Sequence, residues 1–407
     1  MFCLVRVEVQ KMGNGGGDPG RRLNKLREVR KIRVHFMWLY AFSGSFYPYQ
    51  SLYLEGKGFG KAEIGLILSF TQLVGSLSII AMGKIADGSE NKHKLLLVLF
   101  FVGAIVCSFS GWLAGGATVA VLALLAILRD PLFPLSDCIA MEMIPSHYGT
   151  ARIGAPIGYA VAVTTAGFLF QGLSMTLFFP LQALICFLAW QSARGISYQP
   201  SQVEQEKKSD RGWLFKNRSL NIFFSYAAIC YASIGFYSSY YSLLLRELGF
   251  GQGMVGISYQ IAVLAELPFL LWAGYFTRKF KLRDLIWFSG LLLGIRWLLL
   301  GSQVPAVVFT SQLLHGVTYI VLYYATVLWL DSIAGPLNKA SAQGFHALLS
   351  SGSKIVGTSL GGWFAELWGV GRVFFWLGIL VLVATIIWRL LERLLVETKK
   401  THLSCGS

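Results

Sequence analysis

Apolar residues fall in long runs along the chain, and each run closes on a short polar or glycine-rich stretch. The runs show no alternation of period two and are too long for barrel strands, so each reads as a helix. A helix of about 20 apolar residues crosses the ~30 Å hydrocarbon core of a bilayer, and in lipid its backbone groups bond within the segment. Twelve spans are expected, at residues 34–54, 64–86, 94–113, 117–142, 150–172, 174–192, 219–245, 254–276, 284–301, 305–333, 338–366 and 370–391. Numbered 1 to 12 in chain order, they predict an all-α membrane protein with 12 transmembrane helices.

The pattern also repeats. Tyr49 to Gly83 returns without a gap 191 residues later as Tyr240 to Gly274, with 10 of 35 positions identical. Among those kept are Tyr49/Tyr240, Gly58/Gly249, Phe59/Phe250, Gly60/Gly251, Gly65/Gly256 and Gly83/Gly274. The shared Gly-Phe-Gly predicts a helix end, a tight turn that uses glycine's access to positive φ, and a second helix start. The chain therefore reads as two related six-helix halves, 34–192 and 219–395. The polar stretch 193–218 joins them as a flexible cytoplasmic linker. Residues 1–33 form a basic cytoplasmic tail, with a cationic amphipathic helix on the inner leaflet and no cleavable signal; Met1 and Met12 are both possible starts. Residues 396–407 form a short second tail.

Charge sharpens the topology. The net charge of +15 invites a nucleic-acid partner, but the placement of the 35 Lys and Arg argues against one. Sorted by loop, 28 lie on the side of both termini and the linker, and four (Lys57, Lys61, Arg246, Arg372) on the other. This positive-inside bias puts both termini in the cytoplasm of a multi-pass protein of the cell membrane. The six cysteines show no CxxC or Cys/His spacing, so neither a metal site nor a disulfide framework is expected. No P-loop, HExxH or GxSxG occurs. The reading is of a protein that is not an enzyme, holds no cofactor and is not driven by ATP.

Between spans 2 and 3 runs GKIADGSENKHK. This resembles the corresponding loop of the major facilitator superfamily, Gly-x-Leu-Ala-Asp-Arg-x-Gly-Arg-Arg. Gly83, Ala86 and Asp87 match, Ile85 replaces the leucine and Gly88 the arginine, while the basic cluster becomes Lys92, His93 and Lys94. The resemblance implies two pseudo-symmetric six-helix bundles with parallel topology, alternating access and a monomer. A conformational latch is expected at Gly83, Asp87, Lys92, Lys94 and Arg152, where Asp87 pairs with a basic side chain of a neighbouring cytoplasmic segment.

Charges inside the spans are the strongest functional candidates, because each costs ~2.5–3.5 kcal/mol at mid-bilayer unless paired or wetted. Span 4 carries Arg129, Asp130 and Asp137, span 8 Glu266, span 9 Arg296, span 10 His315 and span 11 Lys354. A carboxylate shielded from water exchanges protons more readily near neutral pH, and histidine titrates in that range unaided. Glu266, Arg296 and His315 are therefore the expected proton-coupling group. Arg129, Asp130, Asp137, Tyr237, Gln260, Tyr324, Gln343 and Lys354 are the expected lining of a solute cavity.

An acid on span 8, an arginine on span 9 and a histidine on span 10 resemble the lactose permease layout, without the carboxylate that group carries on span 10. PLSD (Pro134 to Asp137), QLLHG (Gln312 to Gly316), AQGFH (Ala342 to His346) and RIGAPIG (Arg152 to Gly158) are similar to signatures of the phenylpropionate permease group. The resemblance implies a secondary transporter, a proton symporter of a small organic solute such as an aromatic acid anion. Sugar or nucleoside symport and passive uniport are the alternatives. The partners expected are the solute, protons and the lipid bilayer.

Overall fold

The computed structural model describes residues 19–87, 91–110, 113, 115–198 and 218–404. Most of the linker, the start of the basic tail with the choice of Met1 or Met12, and the last residues lie outside them. Every described element is helical. Ten helices are long and apolar enough to cross a membrane, counted among the described residues. They are Lys61–Ala86 (span 2), Lys92–Ser110 (span 3), Gly116–Met143 (span 4), Pro145–Gly172 (span 5) and Met175–Arg194 (span 6) in the first half. Ser219–Glu247 (span 7), Gln252–Lys279 (span 8), Leu282–Gly301 (span 9), Pro305–Ala334 (span 10) and Val370–Leu394 (span 12) follow.

Spans 1 and 11 are less apolar; protein surrounds most of span 1, whereas span 11 buries one polar face and leaves Leu348, Val356, Leu360 and Trp363 exposed on the other. In span 1, within the helix Pro19–Gly56, Ser43, Ser45, Tyr49, Gln50 and Ser51 are all buried. That helix is continuous over 38 residues, so the basic stretch 19–33 extends span 1 rather than lying apart on the membrane surface. Val29 and Ile32 are buried, and Arg33 Nε donates to the Thr150 carbonyl at 3.2 Å, which pins the extension to the start of span 5.

Span 11 is hidden inside a helical assignment of 54 residues, His315–Trp368. A straight helix of that length would reach about 80 Å. Yet Gln343 Nε2 donates to the Val327 carbonyl at 2.9 Å, and the Tyr323 and His346 rings lie 5.7 Å apart. Residues 16 and 23 positions apart cannot touch along one straight rod, so the chain reverses between Val327 and Gln343. The expected break near 334–337 is therefore a reversal, but one whose backbone stays helical.

The duplication seen in sequence is carried by the packing. Span 1 packs on 5 and 6, span 2 on 4, and span 3 on 6; span 7 packs on 11 and 12, span 8 on 10, and span 9 on 12. Spans 1 and 7, 2 and 11, and 5 and 8 join the two bundles. Gly58 and Gly249 take φ of 91° and 83°, the same left-handed turn in both copies. Spans 2 and 11 touch at Gly65 and Gly362, where a Cβ on Gly65 would stand 3.1 Å from the Gly362 Cα. Gly83 and Gly344 lie 18 residues along those same two faces, five turns or about 27 Å away. Neither has a heavy atom within 4 Å of an added Cβ. Spans 2 and 11 thus meet at the end remote from the termini and part toward the termini.

Glycine permits the tightest crossing, between spans 1 and 5. A Cβ on Gly158 would stand 1.9 Å from the Met37 carbonyl oxygen, which is backbone and cannot swing aside. Gly158→Val is expected to destabilise the protein by about 1–3 kcal/mol or more, the cost of overpacking. Thermal unfolding of the purified protein in detergent checks this; an unchanged midpoint contradicts the crossing.

Candidate functional site

The site forms where spans 7 to 11 converge at mid-depth. Span 10 does not run there as a plain α-helix. Its first turns, Pro305–Thr310, pass into a 3-10 segment, Ser311–Leu314, and α-helix resumes at His315. Such a tightened stretch inside a span often marks a functional hinge. It aims Gln312 and His315 at span 9, where Arg296 is fully buried.

Arg296 Nη1 donates to His315 Nδ1 at 2.8 Å, and Nη2 to Gln312 Oε1 at 2.7 Å. Tyr237 on span 7 donates its hydroxyl to the same Gln312 oxygen at 2.8 Å, and its ring lies 4.5 Å from the guanidinium. On its other edge, His315 Nε2 lies 3.1 Å from Glu266 Oε1 on span 8. Arginine only donates, so Nδ1 must accept and the imidazole proton sits on Nε2, facing the carboxylate. One neutral imidazole thus links Arg296 to Glu266, and those two never touch directly.

His315 also faces a cavity of about 200 Å³ between the bundles. Tyr47 and Tyr159 line it from the first half, and Tyr237, Tyr259, Tyr319 and Lys354 from the second. The Lys354 ammonium lies 5.9 Å from the Tyr231 ring centre and 5.5 Å from that of Tyr319. It makes no ion pair or hydrogen bond with a described residue. A cation over tyrosine faces in a cavity between bundles is a half-built anion site.

Of the residues expected to line the cavity, Tyr237 and Lys354 do so. Arg129 lies behind the wall, between the rings of Phe46 and Tyr47 at 4.5 and 4.4 Å, with Nη2 2.8 Å from Asp130 Oδ1. Adjacent helical residues point apart, but the α-helix stops at Arg129 and resumes at Leu132, which lets this pair close. Asp137 sits nearer the termini, bonded to Arg152 and, at 3.0 Å, to the Tyr148 hydroxyl. Tyr324 packs edge-on to Phe269, Gln343 is used in the reversal, and Gln260 is half-buried on span 8.

Of the expected latch, Lys92 pairs with Glu142 at 2.8 Å and Arg152 with Asp137, so both hold to span 4. The Lys94 backbone N–H is capped by Asn91 Oδ1 at 3.1 Å, and Gly83 faces open space. The side chain of Asp87 lies outside the described residues. Gln312 is the member that reading the spans for charge misses: it is neutral, and its signal is its place at the head of the QLLHG stretch, three residues before the histidine.

Comparison with known proteins agrees with this architecture. A family model described as the MFS_1 like family matches residues 29–377. The maltose permease of Geobacillus stearothermophilus is 23% identical over 368 residues, 88% of this chain and 93% of the relative. The probable 3-phenylpropionic acid transporter of Escherichia coli (strain K12) is 23% identical over 370 residues, 88% of this chain and 96% of the relative. A crystal structure of a nucleoside transporter superposes with a TM-score of 0.79 at 18% identity, covering 89% of this chain and 98% of that one.

Proposed function

The chain belongs to the MFS_1 like family of membrane transporters, and from that premise we propose that it is a proton symporter of a small aromatic carboxylate working by alternating access. The observation that carries the proposal is His315 bonded between Glu266 and Arg296 on the wall of a cavity that also holds Lys354, which pairs with no described residue.

The chemistry follows from counting protons. With Glu266 ionised, His315 neutral and Arg296 charged, the triad is neutral overall and every bond has a donor and an acceptor. One added proton makes it cationic. If the proton goes to His315, Nδ1–H meets the Arg296 donor and the contact breaks. If it goes to Glu266, the carboxyl no longer offers a charge to the imidazole. Either way the cavity wall gains a positive charge, which favours an anion beside Lys354. Proton and anion then bind together as an electroneutral pair, and release of one weakens the hold on the other.

Size favours a compact solute. About 200 Å³ lies below the 300–1,000 Å³ of drug-sized ligand sites, room for one ring and a short acid rather than a disaccharide. The tyrosine walls suit a flat ring. In this reading the bias of Lys and Arg toward one set of loops sets both termini, the 193–218 linker and the open end toward the cytoplasm, with a bundle of six spans on either side of the linker. The chain acts as a monomer in this reading.

The test is uptake into proteoliposomes under an imposed pH step, against aromatic acids, sugars and nucleosides. An aromatic acid should accumulate only when the outside is acid. Movement of a nucleoside or sugar without any acid replaces the solute class, and uptake indifferent to the pH step replaces symport by uniport.

A further inference from the structure

At the end remote from the termini, the bundles are fastened by bonds that the internal duplication supplies twice. In the first set, the Tyr240 hydroxyl on span 7 donates to the Lys61 carbonyl at the start of span 2, at 2.8 Å. Glu366 on span 11 accepts from the backbone N–H groups of Lys61 and Ala62 at 2.7 and 3.3 Å. In the second set, the Tyr49 hydroxyl on span 1 gives its proton to the Val163 carbonyl of its own bundle at 2.5 Å and only stands near the Gln252 carbonyl at the start of span 8, at 3.5 Å. Gln171 on span 5 accepts from the Gly253 N–H at 2.9 Å. Tyr49 and Tyr240, and Lys61 and Gln252, stand 191 residues apart, so one set is the copy of the other.

In both sets the opposite bundle supplies an acceptor to the free N–H groups of a first helical turn. The chemistry of the two acceptors has diverged. Glu366 is a carboxylate at a helix N-terminus, charge-assisted and favoured by the helix dipole. Gln171 is a neutral amide with one bond. Cross-bundle ion pairs flank the Glu366 set: Lys61–Glu247 at 2.5 Å and Arg246–Glu55 at 2.7 Å. Glu63, in the same first turn, bonds the Gly60 N–H within its own bundle and takes no part in the crossing. Glu366 is exposed and both flanking pairs are partly so, which weakens all three by screening; the cap differs in also answering two first-turn backbone N–H groups that have no partner within their own helix.

We propose that this end is a gate with two unequal latches, and that Glu366 sets how much of the resting population is closed there while Gln171 follows. The proposal rests on the transport reading above, since a gate matters only to a chain that alternates. Removing Glu366 frees two first-turn N–H groups and a favourable charge, whereas removing Gln171 frees one N–H group.

The test measures the gate with no solute present, by spin-label distances between Thr176→Cys and Arg372→Cys. Both positions are exposed at this end, one on each bundle, and the six native cysteines are replaced by serine. Glu366→Ala is expected to raise the open-to-closed ratio about tenfold, the usual weight of a lost cap. Glu366→Gln keeps the acceptor without the charge and folds with the same shape; it is expected to raise the ratio about threefold. Gln171→Ala is expected to change it less than about twofold. Unchanged distances in both Glu366 variants, or an equal or larger shift from Gln171→Ala, overturn the proposal. Because no solute is added, the distances report on the gate even in a chain that fails every uptake assay.

Discussion

Glu266→Gln is expected to end accumulation of solute against its gradient while leaving exchange of internal for external solute close to normal. The two behaviours separate because of what the substitution keeps. Glutamine is nearly the shape of glutamate, and its carbonyl oxygen can still accept the Nε2–H of His315, now 3.1 Å from Glu266 Oε1. Arg296 keeps its bonds to His315 and Gln312. What is lost is the ability to ionise. The triad then carries a fixed positive charge, as if a proton were always bound, and the solute is held without the step that returns the proton.

The same argument fixes the pH dependence. In the unaltered chain, solute affinity should rise as pH falls, by about 5–150-fold for coupling of ordinary strength. In Glu266→Gln it should be flat and near the acid-limit value. Binding measured by calorimetry across pH, beside uptake and exchange in proteoliposomes, checks both halves of the claim. Continued acid-driven accumulation by the variant removes Glu266 from the coupling group.

The spans were legible because lipid imposes one rule on every residue that faces it, and long apolar runs satisfy that rule openly. Spans 1 and 11 were less visible to hydropathy because they carry polar residues that neighbouring spans shield, Ser43, Ser45, Gln50 and Thr358 among them. The triad was legible for the opposite reason: Glu266, Arg296 and His315 break apolar runs that have little reason to carry charge. Sequence spacing gives the depth of a side chain in a span far better than the direction it points. Arg129 and Tyr237 sit in adjoining regions of the interior, but only the tyrosine faces the cavity. The break of span 4 after Arg129 turned an expected clash of directions into an ion pair. Gln312 carries no charge, and its importance comes from two donors meeting on one oxygen, which only packing reveals.

Lys354→Gln is expected to weaken binding of a carboxylate solute by about 10–100-fold, the range for a hydrogen bond to a charged group. The ammonium lies against the rings of Tyr231 and Tyr319, and no described carboxylate answers it. Tyrosine faces return part of the cost of a charge at this depth, on the order of 1 kcal/mol, against ~2.5–3.5 kcal/mol for leaving it in the membrane. The remainder is available to a solute anion that displaces water from the cavity. A structural lysine would give a different pattern, so the informative comparison pairs the acid with its uncharged amide. In the unaltered chain the acid should bind far better than the amide; in Lys354→Gln the two should bind alike, and Lys354→Arg should restore part of the preference. Equal loss of both ligands would mean that Lys354 shapes the wall and that the anion is held elsewhere, with the Arg296 face of His315 the next place to look.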